Sequence, residues 1–260
     1  MTLSVCLITL NEEANIGRTL ASVKAIADEI IVVDSGSTDR TVAIAQSFGA
    51  RTFSEPWKGF AAQKNSALAK ATGDWILSLD ADEEVSPELA ASIRGVVKGT
   101  AAPACDGYEM ARRNLYLNHW VRRAGFYPDR KLRLIQRGSA TFELRAVHED
   151  MKMPRDRVGR LRGDLLHHAY PDLASFIEHA NVYSSLSAEM VVHEHRVGFN
   201  LFNILVRPTA RFLWSYFFRL GFLDGPAGLL IYMNHAMYVS WKYAKAWELS
   251  RAQSAHTAGR

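Results

Sequence analysis

Four carboxylates fall within five positions in Asp80-Ala81-Asp82-Glu83-Glu84, directly after the apolar run Trp75-Ile76-Leu77-Ser78-Leu79. So many like charges repel one another unless something cationic sits among them. If the extended chain persists, Asp80 and Asp82 share a side, because alternate strand residues point the same way. A hard divalent cation, Mg²⁺ or Mn²⁺, would answer that charge and keep positions open for phosphate oxygens. The competing reading is an acidic turn ahead of the helix that starts at Ser86-Pro87, where the helix dipole favours negative charge. Two other apolar runs end in polar clusters of the same kind, Thr9-Leu10-Asn11-Glu12-Glu13 and Asp34-Ser35-Gly36-Ser37-Thr38-Asp39.

The elements that must position these clusters are legible as runs and periods. Leu3 to Ile8, Ile30 to Val33 and Trp75 to Leu79 read as buried strands. Between them, Ile16, Leu20 and Val23 keep helical spacing, and Ile44 with Phe48 suggest a helix closed near Gly49. Ser86 reads as an N-cap and Pro87 as the first helical residue, with Leu89, Ile93, Val96 and Val97 as the inward stripe. Continuous apolar strands separated by helices predict an α/β domain with a sheet covered on both faces. In such a sheet ligands bind beyond the carboxyl ends of the strands, which is where the three polar clusters fall. No G-x-G-x-x-G follows the first run and no G-x-x-x-x-G-K-[ST] loop occurs, which disfavours a dinucleotide oxidoreductase or a P-loop NTPase.

Past about Thr100 the pattern changes. Between Arg112 and Arg137 lie eight Arg or Lys against one acid, Asp129, interleaved with Tyr116, Trp120, Phe126 and Tyr127. Short strands and loops are expected there, a basic polar stretch over Lys152 to Arg162, and helical spacing again over Leu173 to Val192. Residues 199–247 hold 13 of the 27 aromatics. Gly225 to Trp241 is an uncharged run of 17 residues containing Pro226, Asn234 and His235, short and polar for a membrane-spanning helix. Helices lying in a bilayer interface are expected, with Arg207, Arg211, Arg219, Lys242 and Lys245 towards headgroups. A helical cap on the core or a dimer interface is the alternative.

With 260 residues, 48% hydrophobic and 22% charged, the chain has globular composition. The net charge of +4 favours anionic partners, and no nucleic-acid-binding module is visible. Cys6 and Cys105 form neither a disulfide framework nor a zinc pattern. The first residues lack an export-signal pattern, so a reducing cytoplasmic setting is expected.

Taken together, Thr9 to Glu13, Val33 to Thr41, Gln63-Lys64-Asn65, and Gly73-Asp74 leading into Leu79-Asp80-Ala81-Asp82-Glu83 resemble the family 2 glycosyltransferases. Val147-His148-Glu149, Leu166-His167 and the aromatic tail around Gly221 to Gly225 resemble the branch containing lipopolysaccharide-core glucosyltransferases. The resemblance implies a GT-A fold, a Rossmann-like mixed sheet flanked by helices, over residues 1–195, and an aromatic-rich helical extension over 196–260. It also implies an inverting hexosyltransferase using a UDP-sugar, a divalent metal, and a phosphorylated or acidic glycolipid acceptor. Such an enzyme would work peripherally at the cytoplasmic face of the inner membrane. By the same resemblance Asp34 would read the uracil edge, Thr9, Asn11 and Glu12 would line the nucleoside pocket, and Lys64 would sit near base or diphosphate. Asp80 would face the ribose or the metal's water shell. Asp82 with His167, or its neighbour His168, would hold the metal, and Glu149 or Asp150 would be the base. The basic stretch, represented by Arg112, Arg113, Arg130 and Arg133, becomes an acceptor-side surface suited to phosphates and acidic sugars. Two rivals are a nucleotidyltransferase-type enzyme, for which Asn11-Glu12-Glu13 has the wrong charge, and a non-catalytic membrane-bound binding protein with a relic nucleotide fold.

Overall fold

A computed structural model describes the chain apart from residues 101–102, 145–149, 195–198 and 259–260. It resolves into two compact units, one of Met1–Asn114 with Pro128–His168 and one of Leu115–Tyr127 with Ala169–Arg260. The division expected at 195/196 lies outside the described residues.

The first unit follows the alternation of the sequence. Strand β1 (Leu3–Thr9) is followed by helix α1 (Ile16–Val23), β2 (Glu29–Asp34), α2 (Thr41–Ser47), β3 (Arg51–Ser54), α3 (Phe60–Ala69) and β4 (Trp75–Asp80). Next come β5 (Glu83–Val85), α4 (Pro87–Lys98) and β6 (Gly107–Tyr116), then, past β7 (His119–Trp120) of the second unit, β8 (Asp129–Gln136) and β9 (Val158–Tyr170). The sheet runs β3-β2-β1-β4-β8-β6-β9-β5, with β7 pairing β6. Strands β1 to β4 pair in parallel, whereas β8 joins β4, and β6 joins β8, antiparallel. The sheet is therefore mixed.

One core packs Leu3, Val5 and Leu7 of β1 against Ile16, Leu20, Leu89 and Ile93. The opposite face packs Cys6, Ile31, Val33 and Ile76 against Ala61, Ala67 and Leu68 of α3. Alternate residues of β1 thus serve opposite cores, as the strand period requires. Helix α4 starts as expected: Ser86 Oγ accepts from the Leu89 amide at 3.3 Å, with Pro87 at the first helical position.

In the second unit, α5 (Leu173–Glu194) and α7 (Gly225–Ala258) pack against each other, with α6 (Arg207–Leu213) between them in sequence. Five-residue π-helical segments flank α6, Phe202–Val206 before it and Trp214–Phe218 after it. A small core of Val121, Ile231 and Tyr232 is covered by Tyr116, Phe126, Phe212 and Tyr216. Buried Asp224 accepts from the Tyr232 hydroxyl at 2.6 Å and from the Arg122 and Arg123 amides at 3.3 and 3.2 Å, which ties the 121–126 loop to the start of α7. Among the described residues, no helix is long and apolar enough to cross a membrane.

Candidate active site

The parallel strands β1, β2 and β4 present their carboxyl ends side by side, with Thr9 opposite Asp34 and Ile8 opposite Asp80. The first two ends form one interlocked pair of loops. Asp34 is buried, and its Oδ1 accepts from the hydroxyls of Thr9 and Ser37 while Oδ2 accepts from the amides of Gly36 and Ser37. A carboxylate has about four acceptor sites, and all four are engaged. Burial alone would raise the Asp34 pKa, but the hydrogen bonds from Ser37, Gly36 and Thr9 outweigh it and hold the group below its ordinary value.

The loop after β1 hangs from the loop after β2. Asn11, at φ +55°, donates its amide to Ser37 Oγ at 2.8 Å and accepts the Thr38 amide on Oδ1 at 2.9 Å. The Glu12 amide donates to Thr41 Oγ1 at 2.7 Å, and Glu12's carbonyl accepts the Ile16 amide at the start of α1. Burial raises the Glu12 pKa; its Asn15 hydrogen bond opposes this, while Asp82, Asp39 and Asp80 add repulsion in the same direction as burial.

The third end differs from the expected strand. β4 stops at Asp80 and a turn occupies Ala81 and Asp82 before β5 begins. The alternate-residue argument fails there, because the chain leaves the extended conformation, and the two aspartates take different partners. Asp80 Oδ1 meets Lys64 Nζ at 2.8 Å and Oδ2 meets Arg133 Nη2 at 2.6 Å. Burial pushes its pKa up, but the Arg133 and Lys64 charges prevail and hold it well below the carboxylate range. Glu83 is wholly buried: Oε1 takes Arg133 Nη2 at 2.7 Å and Arg112 Nη1 at 3.4 Å, and Oε2 accepts the Asp80 amide at 3.0 Å. Glu84 Oε2 faces His168 Nε2 at 3.0 Å. The protein's own cations, Lys64, Arg133 and Arg112, therefore answer the charge of Asp80 and Glu83.

The remaining acid, Asp82, faces β9. In the β5–β9 pairing Glu83 stands opposite His167, and the His168 amide donates to the Asp82 carbonyl at 3.0 Å. His167 Nε2 lies 3.1 Å from Asp82 Oδ2, and its Nδ1 lies 2.7 Å from Asn114 Oδ1. With Nδ1–H assigned to the Asn114 oxygen, Nε2 carries either a second proton, pairing with Asp82, or a lone pair open to a cation. One carboxylate oxygen and one imidazole nitrogen fit Mn²⁺ or Mg²⁺ as a partial donor set that leaves positions for phosphate oxygens. Among the described residues no group of three or more His, Cys, Asp or Glu could hold a metal by itself, so a ligand would have to complete the shell.

The model of the glycosyl transferase family 2 matches residues 4–172, which contain all three strand-end clusters and both histidines. This chain is a family 2 glycosyltransferase. Across nearly its full length it is 34% identical to a lipopolysaccharide core biosynthesis glycosyltransferase, LpsC, of Rhizobium meliloti, covering 95% of this chain and 92% of the relative. A glycosyltransferase of Rickettsia typhi is 31% identical over 95% of this chain and 87% of its own. Among solved structures, glucosyl-3-phosphoglycerate synthase from Mycobacterium tuberculosis, in complex with Mn²⁺, UDP-glucose and phosphoglyceric acid, is 29% identical with a TM-score of 0.35. That match spans 44% of either chain. The mixed sheet flanked by helices is the GT-A architecture of this family, and a helical region follows it.

Within this glycosyltransferase the expected site residues divide by location. Thr9, Asn11, Glu12 and Asp34 converge in the interlocked loops, Lys64 and Asp80 form an ion pair, and Asp82 meets His167. Glu149 lies outside the described residues; Asp150 is exposed and its carbonyl accepts the Glu143 amide. The four arginines do not form one surface. Arg133 is 5% exposed and committed to Asp80 and Glu83, Arg112 pairs with Asp129 and Glu83, Arg113 is half-buried and Arg130 exposed. Burial works against the Arg133 charge, but Asp80 and Glu83 raise its pKa above even the usual guanidinium value. Sequence reasoning counted Glu83 only as one of four acids and missed Asn114, since the partners that define them stand 50 and 53 positions away.

Proposed function

We propose that this family 2 glycosyltransferase is a metal-dependent inverting hexosyltransferase. It would move a hexose, glucose in the first instance, from a UDP-sugar to a phosphorylated or acidic glycolipid such as a lipopolysaccharide core. The observation that carries the metal and donor assignment is the Asp82–His167 pair at 3.1 Å. It lies beside an aspartate already neutralised by Lys64 and Arg133. Bound there, a divalent cation would supply Lewis-acid stabilisation of the departing diphosphate. Asp82 and His167 would hold it, and Asn114 would keep the imidazole turned so that Nε2 faces the carboxylate.

The chain's residues would do the rest. The interlocked loops would receive the nucleoside, Asp80 would face the ribose, and Lys64 would add positive charge near the diphosphate. Because Asp34 is saturated by Thr9 and by its own loop, it would shape the base pocket through that loop's backbone. Glu149, or Asp150 beside it, would accept the proton of the acceptor hydroxyl. The relative from Rhizobium meliloti, named for lipopolysaccharide core biosynthesis, supports the acceptor class. That acceptor would bring the enzyme to the cytoplasmic face of the inner membrane.

Thermal denaturation tests the reading, because a ligand that binds only the folded state raises apparent stability. UDP and UDP-hexoses should stabilise the protein, more so with Mn²⁺, and Asp82→Ala should lose the metal-dependent part. A chain indifferent to UDP with and without metal would refute the donor assignment.

A further inference from the structure

Residues 199–223 expose large apolar side chains at a fixed interval. Leu201-Phe202, Leu205-Val206, Leu213-Trp214 and Phe217-Phe218 are pairs four or eight residues apart, each side chain between 43% and 72% exposed. On an α-helix of 3.6 residues per turn, four steps of four residues would carry the stripe about 160° around the axis. The observed winding cancels that drift. π-helical turns at Phe202–Val206 and Trp214–Phe218 bracket α6, and i→i+5 bonding takes more residues per turn than α winding.

The opposite side keeps the same interval and points inward. Pro208 is buried, Phe212 and Tyr216 pack on the Val121–Ile231–Tyr232 core, and the Ile204 carbonyl accepts Ser240 Oγ at 2.9 Å. The anchored side explains why the other faces outward; nothing in the second unit covers it among the described residues.

Charge distinguishes the candidate occupants. Between Phe199 and Leu223 there are three arginines, Arg207, Arg211 and Arg219, and no Asp or Glu. A second copy docking through this stripe would set arginines against arginines with no acid to pair them. An anionic lipid surface complements both features, taking the apolar pairs below its headgroups and the arginines among them. Trp214, 54% exposed, suits the interfacial depth at which indole rings concentrate.

We propose that residues 199–223 form a bilayer-docking face that lies in the plane of an anionic membrane. It stands on residues that the donor site does not use, so it survives or fails separately from the donor assignment.

The test is co-sedimentation of the full chain with phosphatidylcholine vesicles, with and without phosphatidylglycerol. Anionic vesicles should bind it more tightly, and added salt should weaken that binding. Phe217→Ser/Phe218→Ser should lower partitioning about tenfold or more, and Arg211→Gln about fivefold on anionic vesicles only. The variants must retain the wild-type circular dichroism and UDP response. As a second measurement, lipids brominated on their acyl chains should quench tryptophan emission of the wild type, with most of that quenching lost in Trp214→Phe. Wild-type protein that stays in the supernatant with both vesicle types, folded Phe217→Ser/Phe218→Ser that sediments undiminished, or a dimer that the same double substitution dissolves, would overturn the proposal.

Discussion

Replacing Arg133 with Met separates an arginine that holds the site together from one that greets an acceptor. Met fills the space of the aliphatic stem but removes the charge. Arg133 is 5% exposed and one guanidinium nitrogen, Nη2, serves Asp80 at 2.6 Å and Glu83 at 2.7 Å. Breaking a buried ion pair by deleting one member costs about 3–5 kcal/mol, because the other charge stays behind without compensation. Here Asp80 keeps Lys64 at 2.8 Å, and Glu83 keeps Arg112 at 3.4 Å, so the lower part of that range applies. For a chain of this size each kcal/mol moves the melting temperature by roughly 2–4 °C. Scanning calorimetry of Arg133→Met should therefore show a fall of roughly 6–16 °C. Arg133→Lys should recover only part of it, since the shorter side chain does not bring its ammonium to where Nη2 serves both carboxylates. A solvated acceptor-side arginine would behave differently, with stability within about 0.5 kcal/mol of wild type and an increased KM for acceptor. An unchanged melting temperature in Arg133→Met would refute the clamp.

Three further outcomes follow from other parts of the molecule. Hydrogen bonds from Lys58, Lys70 and Ser66 depress Glu55 to about 2 from its ordinary 4.5. Its stabilising contribution is thus complete above pH 4.5 and lost as pH falls towards 2, so acid denaturation curves of Glu55→Gln should be flatter than wild type over that window; equal slopes would count against it. Gly163 sits at φ +87°, where an added Cβ would lie 2.3 Å from the Leu89 amide nitrogen of α4. Gly163→Ala should destabilise by more than about 1 kcal/mol in urea unfolding. Asn114→Ala removes the partner of His167 Nδ1 and should weaken the Mn²⁺ dependence of UDP binding by about 10–100-fold in metal affinity, read by calorimetric titration.

The sequence carried the parallel half of the sheet well, because β1, β2 and β4 are buried on both faces and read as unbroken apolar runs. The α4 start was legible from Ser86-Pro87 for the same local reason. Strand β3, Arg51-Thr52-Phe53-Ser54, escaped notice: it is four residues long and not buried, so no apolar run marks it. The length of β9 was hidden by Arg160 and Arg162, whose exposed side chains break the pattern. At the site, residue types identified the acidic corner but not its wiring. That Asp80 would turn to Lys64 and Arg133 while Asp82 turned to His167 depends on where β4 ends and on strands paired across long stretches of chain. The outward apolar pairs from Leu201 to Phe218 were countable in the sequence, yet a four-residue interval kept over four steps drifts around an α-helix. Only the π winding makes it coherent.

The cross-bracing of the β1 and β2 loops has a consequence for how donor choice can evolve or be engineered. Ser37 gives its hydrogen to Asp34 while receiving the Asn11 amide, and Asp39 receives the Glu13 amide while gripping Thr41. The two loops form a single stiff frame, so exchanging one of these small hydroxyl or carboxyl residues would shift both rims of the cleft together. New donor preferences are therefore reached more easily through side chains that project from this frame than through the residues that tie it.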